Sequence, residues 1–192
     1  MNSKNKIITV TTLCILMSCN KIKKDYVITD ASVQSQPKWV KKMVYNPKKS
    51  EYKYFISKAD NINQELCQKG AETRARAVIA SEIASEIYDA YEETAKSNNI
   101  ESNEFSTKNL KQTVSLYLAG TEIDERYWEK RSYKKTLGAE KDLNKYFCYT
   151  LMKMKKESYN KVVSLSLDKM FKKVQMDEIK EEVKNKLIEK NE

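Results

Sequence analysis

The sequence predicts a small α+β fold, in which an antiparallel sheet of at least three strands is packed by one long helix, with an additional helix at the C-terminal end. Three observations lead there. Apolar residues recur at spacings of three, four and five between Ile62 and Tyr91. Two stretches of alternating character flank a turn between Thr121 and Met154. Only three glycines and two prolines occur in 192 residues, which leaves few tight turns and favours long elements.

The first strand is read in "EYKYFISKAD", Glu51–Asp60, where Tyr52, Tyr54 and Ile56 fall on one face and Phe55 on the other. The long helix runs from about Asn63 to Lys96. Its stripe is Ile62, Leu66, Ala71, Ala75, Val78, Ile79, Ile83, Ile87, Ala90 and Tyr91. Ala71, Ala75, Ala77, Ala80 and Ala84 keep its surface thin and permit close packing on a sheet. "KSNNIESNE" ends it in loop chemistry. A shorter helix carries Leu110, Val114, Leu116, Tyr117 and Leu118 and closes at Gly120.

"TEIDERYWEKRSY" then alternates, with Ile123, Glu125, Tyr127 and Glu129 against Asp124, Arg126, Trp128 and Lys130. In "LNKYFCYTLMKM" Tyr146, Cys148, Thr150 and Met152 share one face, and Phe147, Tyr149 and Leu151 the other. "KKTLGAEKD" between them supplies a turn, so the two pair as an antiparallel hairpin. Tyr159, Val163, Leu167, Met170, Phe171 and Val174 mark the last helix, which Ile179, Val183 and Leu187 extend past Gln175. These positions run further than a small core needs, and the segment is dense in both signs of charge. That makes this end a candidate contact surface, with capping of the sheet as the alternative.

The N-terminus reads differently. Lys4 and Lys6 precede an uncharged run from Ile7 to Met17. That run is roughly half the ~20 residues a membrane-crossing helix needs, and it has the shape of a secretory signal. Leu16, Met17, Ser18 and Cys19 resemble the lipobox of bacterial lipoproteins. The resemblance implies cleavage after Ser18 and a diacylglyceryl group, then a further palmitate-like chain, on the Cys19 thiol and amine. Anchoring of that kind needs two or more acyl chains, since one chain alone holds poorly. The chain therefore divides into a cleaved signal peptide (1–18), a lipidated Cys19 with a flexible tether (19–36), an α+β domain (37–158) and a C-terminal helical extension (159–192). Seventeen residues of coil, Asn20–Gln36, would reach roughly 20–25 Å. "PKWV", Pro37–Val40, opens the domain, and Trp39 is expected to be its first buried side chain.

Composition narrows the chemistry. Charged residues make up 33% and hydrophobic ones 40%, a surface-rich balance that speaks against a membrane-embedded body. The net charge of +9 falls to +7 without the signal. Export takes a basic chain away from nucleic acid, so acidic headgroups or acidic wall polymers are the anions within reach, unless the charge serves only as a solvated surface. The chain has no histidine, which removes the commonest general base, the Ser-His-Asp triad and the usual zinc site. It has no glycine-rich phosphate loop and no CxxC. Glu82 and Glu86 lie one helical turn apart and read as a solvated helix edge rather than a hydrolytic pair. "RYWEKRSY" mixes aromatic and basic residues as an oligosaccharide surface does, and equally fits a strand's solvent face. Cys14 leaves with the signal. Cys67 and Cys148 either join in an oxidising compartment or remain buried thiols. No catalytic, cofactor or metal residue is predicted; Cys19 is the one site residue.

From Pro37 to about Tyr159 the chain resembles the LPP-twenty lipoproteins of bacterial envelopes. The residues that carry the resemblance are "PKWV", "YFISKA" leading into "GAETRARAVIASEIASEI", then "LAGTEIDERYWE" and "YFCYTLMKMKKESY". Ser57 stands where that family often has glycine. The resemblance implies an outer-membrane or surface lipoprotein without enzyme activity or cofactor. Its partners would be the membrane, through the lipid, and envelope proteins, including copies of itself. Flagellar outer-membrane lipoprotein P is one such relative. The rival expectation is a binding module for acidic wall polymers or surface glycans.

Overall fold

The computed structural model describes residues 24–47, 49–98, 107–172 and 177–191. Cys19 and the signal segment lie outside them. A four-stranded antiparallel sheet forms from β1 (Tyr26–Ala31), β2 (Tyr52–Asn61), β3 (Thr121–Tyr133) and β4 (Leu143–Lys155), in the order β1-β3-β4-β2. The helices are α1 (Lys38–Lys42), α2 (Gln64–Ser97), α3 (Thr107–Tyr117), α4 (Lys156–Phe171) and α5 (Asp177–Asn191). The α+β class, the long helix over the sheet and the β3–β4 hairpin are as the sequence predicts.

The start of α2 is set by local chemistry. Asn63 stays extended and its side-chain Oδ1 accepts the Leu66 N–H at 3.0 Å, the standard N-cap bond. The helix then runs back along β2. Arg74 donates to the Lys58 carbonyl at 3.0 Å near one end, and Lys53 meets Glu86 near the other. Cys67, Ala71 and Ala75 face the sheet, one residue per turn, and all are fully buried. Further along, Ile79, Ala80, Ile83, Ala84 and Ile87 are buried too. The stripe widens because α2, about 51 Å long, outruns the sheet and is then gripped by α3, α4 and α5. Tyr91 meets Phe171 edge-on at 6.1 Å, and Leu110, Val114, Leu167, Ile179, Val183 and Leu187 complete this core.

Four expectations are corrected. The stretch read as tether contains β1, which pairs with β3 from Tyr26↔Tyr133 to Ala31↔Glu129. It is an edge strand whose Val27 and Ile28 both remain exposed, so no alternation betrays it. Ile62 and Leu66, placed in the helix stripe, are 70% and 59% exposed, and Val78 is exposed as well. Leu66 lies a step of about 100° around the helix from Cys67, and Ile62 precedes the helix, which starts after the Asn63 cap. The alternation of β3 breaks at Asp124: Ile123 pairs with Met152 but Glu125 with Leu151, a bulge that puts Ile123 on the helix side and Tyr127 on the far side. Last, the apolar positions of α5 are not surplus to the core: Ile179, Val183 and Leu187 are buried against α2 and α4 rather than over the sheet.

Cys67 and Cys148 form a disulfide with Cα atoms 5.7 Å apart. The first inward position of α2 lies over the helix-facing side of β4, which brings the pair within bridging range. Trp128 and Tyr146 pack over the bridge. It closes a separation of 81 residues, so its reduction, or a Cys67→Ser/Cys148→Ser double variant, should cost about 2–4 kcal/mol. Urea unfolding with and without reductant measures this. No difference between the two curves would show that the bridge is absent.

Candidate functional site

Two polar clusters stand out, one on each face of the sheet. The first is built on β3 at two-residue spacing, so that Tyr127, Glu129 and Arg131 project from the face opposite α2. Glu129 is 1% exposed. Its carboxylate accepts the Tyr127 hydroxyl at 2.8 Å and the Arg131 Nε–H at 2.7 Å. Arg131 also donates to the Tyr149 hydroxyl at 3.3 Å. The guanidinium lies between two rings, 3.9 Å from the Phe147 centroid and 4.5 Å from that of Tyr26, a cation–π sandwich. Tyr26 comes from β1, so the unpredicted strand completes the cluster. Trp39 and Val40 of α1 bury the lower part of this face, and the Trp39 indole N–H donates to Glu125.

Electrostatics follow from that geometry. Burial, then the bond to Glu129, pushes the Tyr127 hydroxyl far above its usual range. Burial pushes Tyr149 up as well, against the field of Arg131. Burial works against the Arg131 charge, but the bond and field of Glu129 overcome it and hold the guanidinium protonated. Neither tyrosine is poised to give up a proton at neutral pH. Glu129 is shared between Tyr127 and Arg131, so the cluster is closed on itself and reads as structural.

The second cluster joins α2, β2 and α4. The Tyr159 hydroxyl donates to Glu86 at 2.7 Å, and Lys53 approaches the same carboxylate at 3.5 Å while lying 3.7 Å from the Tyr159 ring centroid. Burial, then the bond to Glu86, drives the Tyr159 hydroxyl far upward. Glu82 sits one turn earlier and is exposed. Loss of surrounding water, then the neighbouring Glu86, raises its carboxyl above the ordinary range. The solvated-edge expectation is corrected for Glu86, which is committed to Tyr159 and Lys53, while Glu82 stays exposed at the surface with its carboxyl partly shielded from water. Both glutamates line an open groove between α2, the free edge of β2 and the segment that carries Met43, Tyr45 and Pro47.

"RYWEKRSY" is likewise corrected. Tyr127, Glu129 and Arg131 are internal, while Arg126 reaches across to α2 and pairs with Glu72 at 2.8 Å. The opposite charges at Glu129 and Arg131, two apart on one strand face, were the available sign of an internal pair. Among the described residues, no group of three or more Cys, Asp or Glu could hold a metal ion, and no helix is long and apolar enough to cross a membrane. Cys19, the predicted lipidation site, lies outside the described residues. Compared with protein-family models, curated proteins and solved structures, the chain matches none.

Proposed function

We propose that the chain is a lipid-anchored lipoprotein of the bacterial envelope, held at the outer membrane by acyl chains on Cys19, with a structural or protein-interaction role and no catalysis. The observation that carries this reading is "LMSC" at Leu16–Cys19 behind a basic start and an uncharged run. The Cys67–Cys148 disulfide supports it, because such bridges persist in oxidising compartments outside the cytoplasm. The commitment of Glu129 to Tyr127 and Arg131 is in keeping with a non-enzymatic role. The resemblance to the LPP-twenty lipoproteins supplies the finer form of the proposal, assembly with itself or with envelope structures such as the flagellum. The glycan-binding alternative loses its main support, since Tyr127 and Arg131 are occupied by Glu129.

A fatty-acid labelling experiment tests the anchor. The natural chain should incorporate a palmitate analogue and partition into detergent. Cys19→Ser should remain at precursor size without label. A labelled Cys19→Ser variant of mature size would refute the reading.

A further inference from the structure

Three parts of the fold converge on one end of the sheet. β1 begins there, with Tyr26 opposite Tyr133, and the Lys134 N–H donates to the Asp25 carbonyl at 3.1 Å. The β3–β4 hairpin turns there, between Tyr133 and Leu143. β2 ends there as well, with Asn61 opposite Tyr146, and hands over to α2 through Ile62 and Asn63. The helical core of α3, α4 and α5 lies toward the other end, where β2 and β3 start beside Lys155 and Met154.

This end carries an unusual pairing of properties. Leu137 at the hairpin tip is 42% exposed, and Ile62 and Leu66 are more exposed still. Single exposed aliphatics are ordinary, but these three share one pole with an excess of lysine. Lys24, Lys134, Lys135 and Lys141 are all exposed, and none forms an ion pair among the described residues. Of the acids nearby, Asp60 pairs with Lys145 at 3.1 Å and Glu65 with Lys69 at 2.6 Å, and Asp142 accepts the Lys135 backbone N–H at 2.8 Å, which leaves Asp25, Glu140 and Asp142 against the four lysines.

The length of chain before β1 points to the occupant. Only six residues separate Cys19 from Tyr26, and a coil of that length reaches about 13 Å, not the 20–25 Å of the longer tether. An acyl group on Cys19 would therefore hold this pole against the headgroup layer. We propose that the hairpin end of the sheet is a membrane-contacting face for anionic phospholipid. Ile62, Leu66 and Leu137 enter the headgroup–acyl boundary, and Lys24, Lys134 and Lys135 meet the acidic headgroups. The helical end then points away from the bilayer. This inference rests on the lipid-anchor reading above.

The test uses the full-length acylated protein in vesicles of brominated phosphatidylcholine and phosphatidylglycerol. Tryptophan is introduced as Leu137→Trp or Leu66→Trp, with Leu116→Trp on α3 as the control at the other end. The emission added by the first two should fall by about half through contact with brominated chains, while that of Leu116→Trp is unchanged. Mass of the purified chain reads acylation separately. An acylated, vesicle-bound Leu137→Trp protein quenched no more than Leu116→Trp overturns the docking face alone. A chain without acyl groups overturns the anchor and the docking face with it.

Discussion

Ile83→Asp is expected to abolish the cooperative unfolding transition. Ile83 is fully buried where the α2 stripe is widest, in the core shared by the sheet and α3–α5. A carboxylate there has no partner and no water, and the cost of several kcal/mol consumes most of the stability of a domain this size. Glu82→Lys, one residue earlier on the exposed side, should melt close to the natural protein. Circular dichroism on heating compares the two. Equal melting temperatures would mean that the buried face of α2 is misassigned.

The second large effect is expected at Glu129. Removing its side chain with Glu129→Ala leaves the Arg131 guanidinium between Phe147 and Tyr26 without its counter-charge, and leaves the Tyr127 hydroxyl without its acceptor. Breaking a buried pair in this way costs about 3–5 kcal/mol. Replacing both partners by apolar residues of similar size, as in Glu129→Leu/Arg131→Met, should recover most of that loss, because no lone charge remains. Urea midpoints of the two variants decide the matter. A single variant that loses less than about 1 kcal/mol would show that water screens the half-buried Arg131 charge and that the cluster is not a closed one.

The Ala and Ile spacing of α2 located that helix to within about a residue, because one side is buried and the sheet demands small side chains on one narrow line. The β3–β4 hairpin was legible from its aromatic, strand-forming residues and the turn between them, although β4 is buried on both faces from Cys148 to Met152. β1 was not, since Val27 and Ile28 are both exposed and its stability comes from backbone pairing with β3. Pairing leaves no mark in a side-chain pattern. The bulge at Asp124 was equally silent: it inverts the facing of Ile123 relative to Tyr127 without any glycine or proline to announce it. Two isolated cysteines gave no pairing until the register set Cys148 beneath the first inward turn of α2. Glu86 looked like its neighbour Glu82, and only the approach of α4 with Tyr159 separates them.

Under the proposed anchor on Cys19, β1 leaves a shorter stretch of chain before the sheet, and the disulfide ties the start of α2 to β4 near the same end of the sheet. The apolar seam of α5 is filled from within the chain.

The proposed anchor and the membrane-facing pole both turn on Cys19. The intact mass of the mature chain, isolated from bacterial membranes, tests that point most directly. The account predicts a polypeptide that begins at Cys19, lacks residues 1–18 and carries the added mass of a diacylglyceryl group. A membrane-derived chain that retains Met1–Ser18, or one that begins elsewhere without acyl groups, would contradict it.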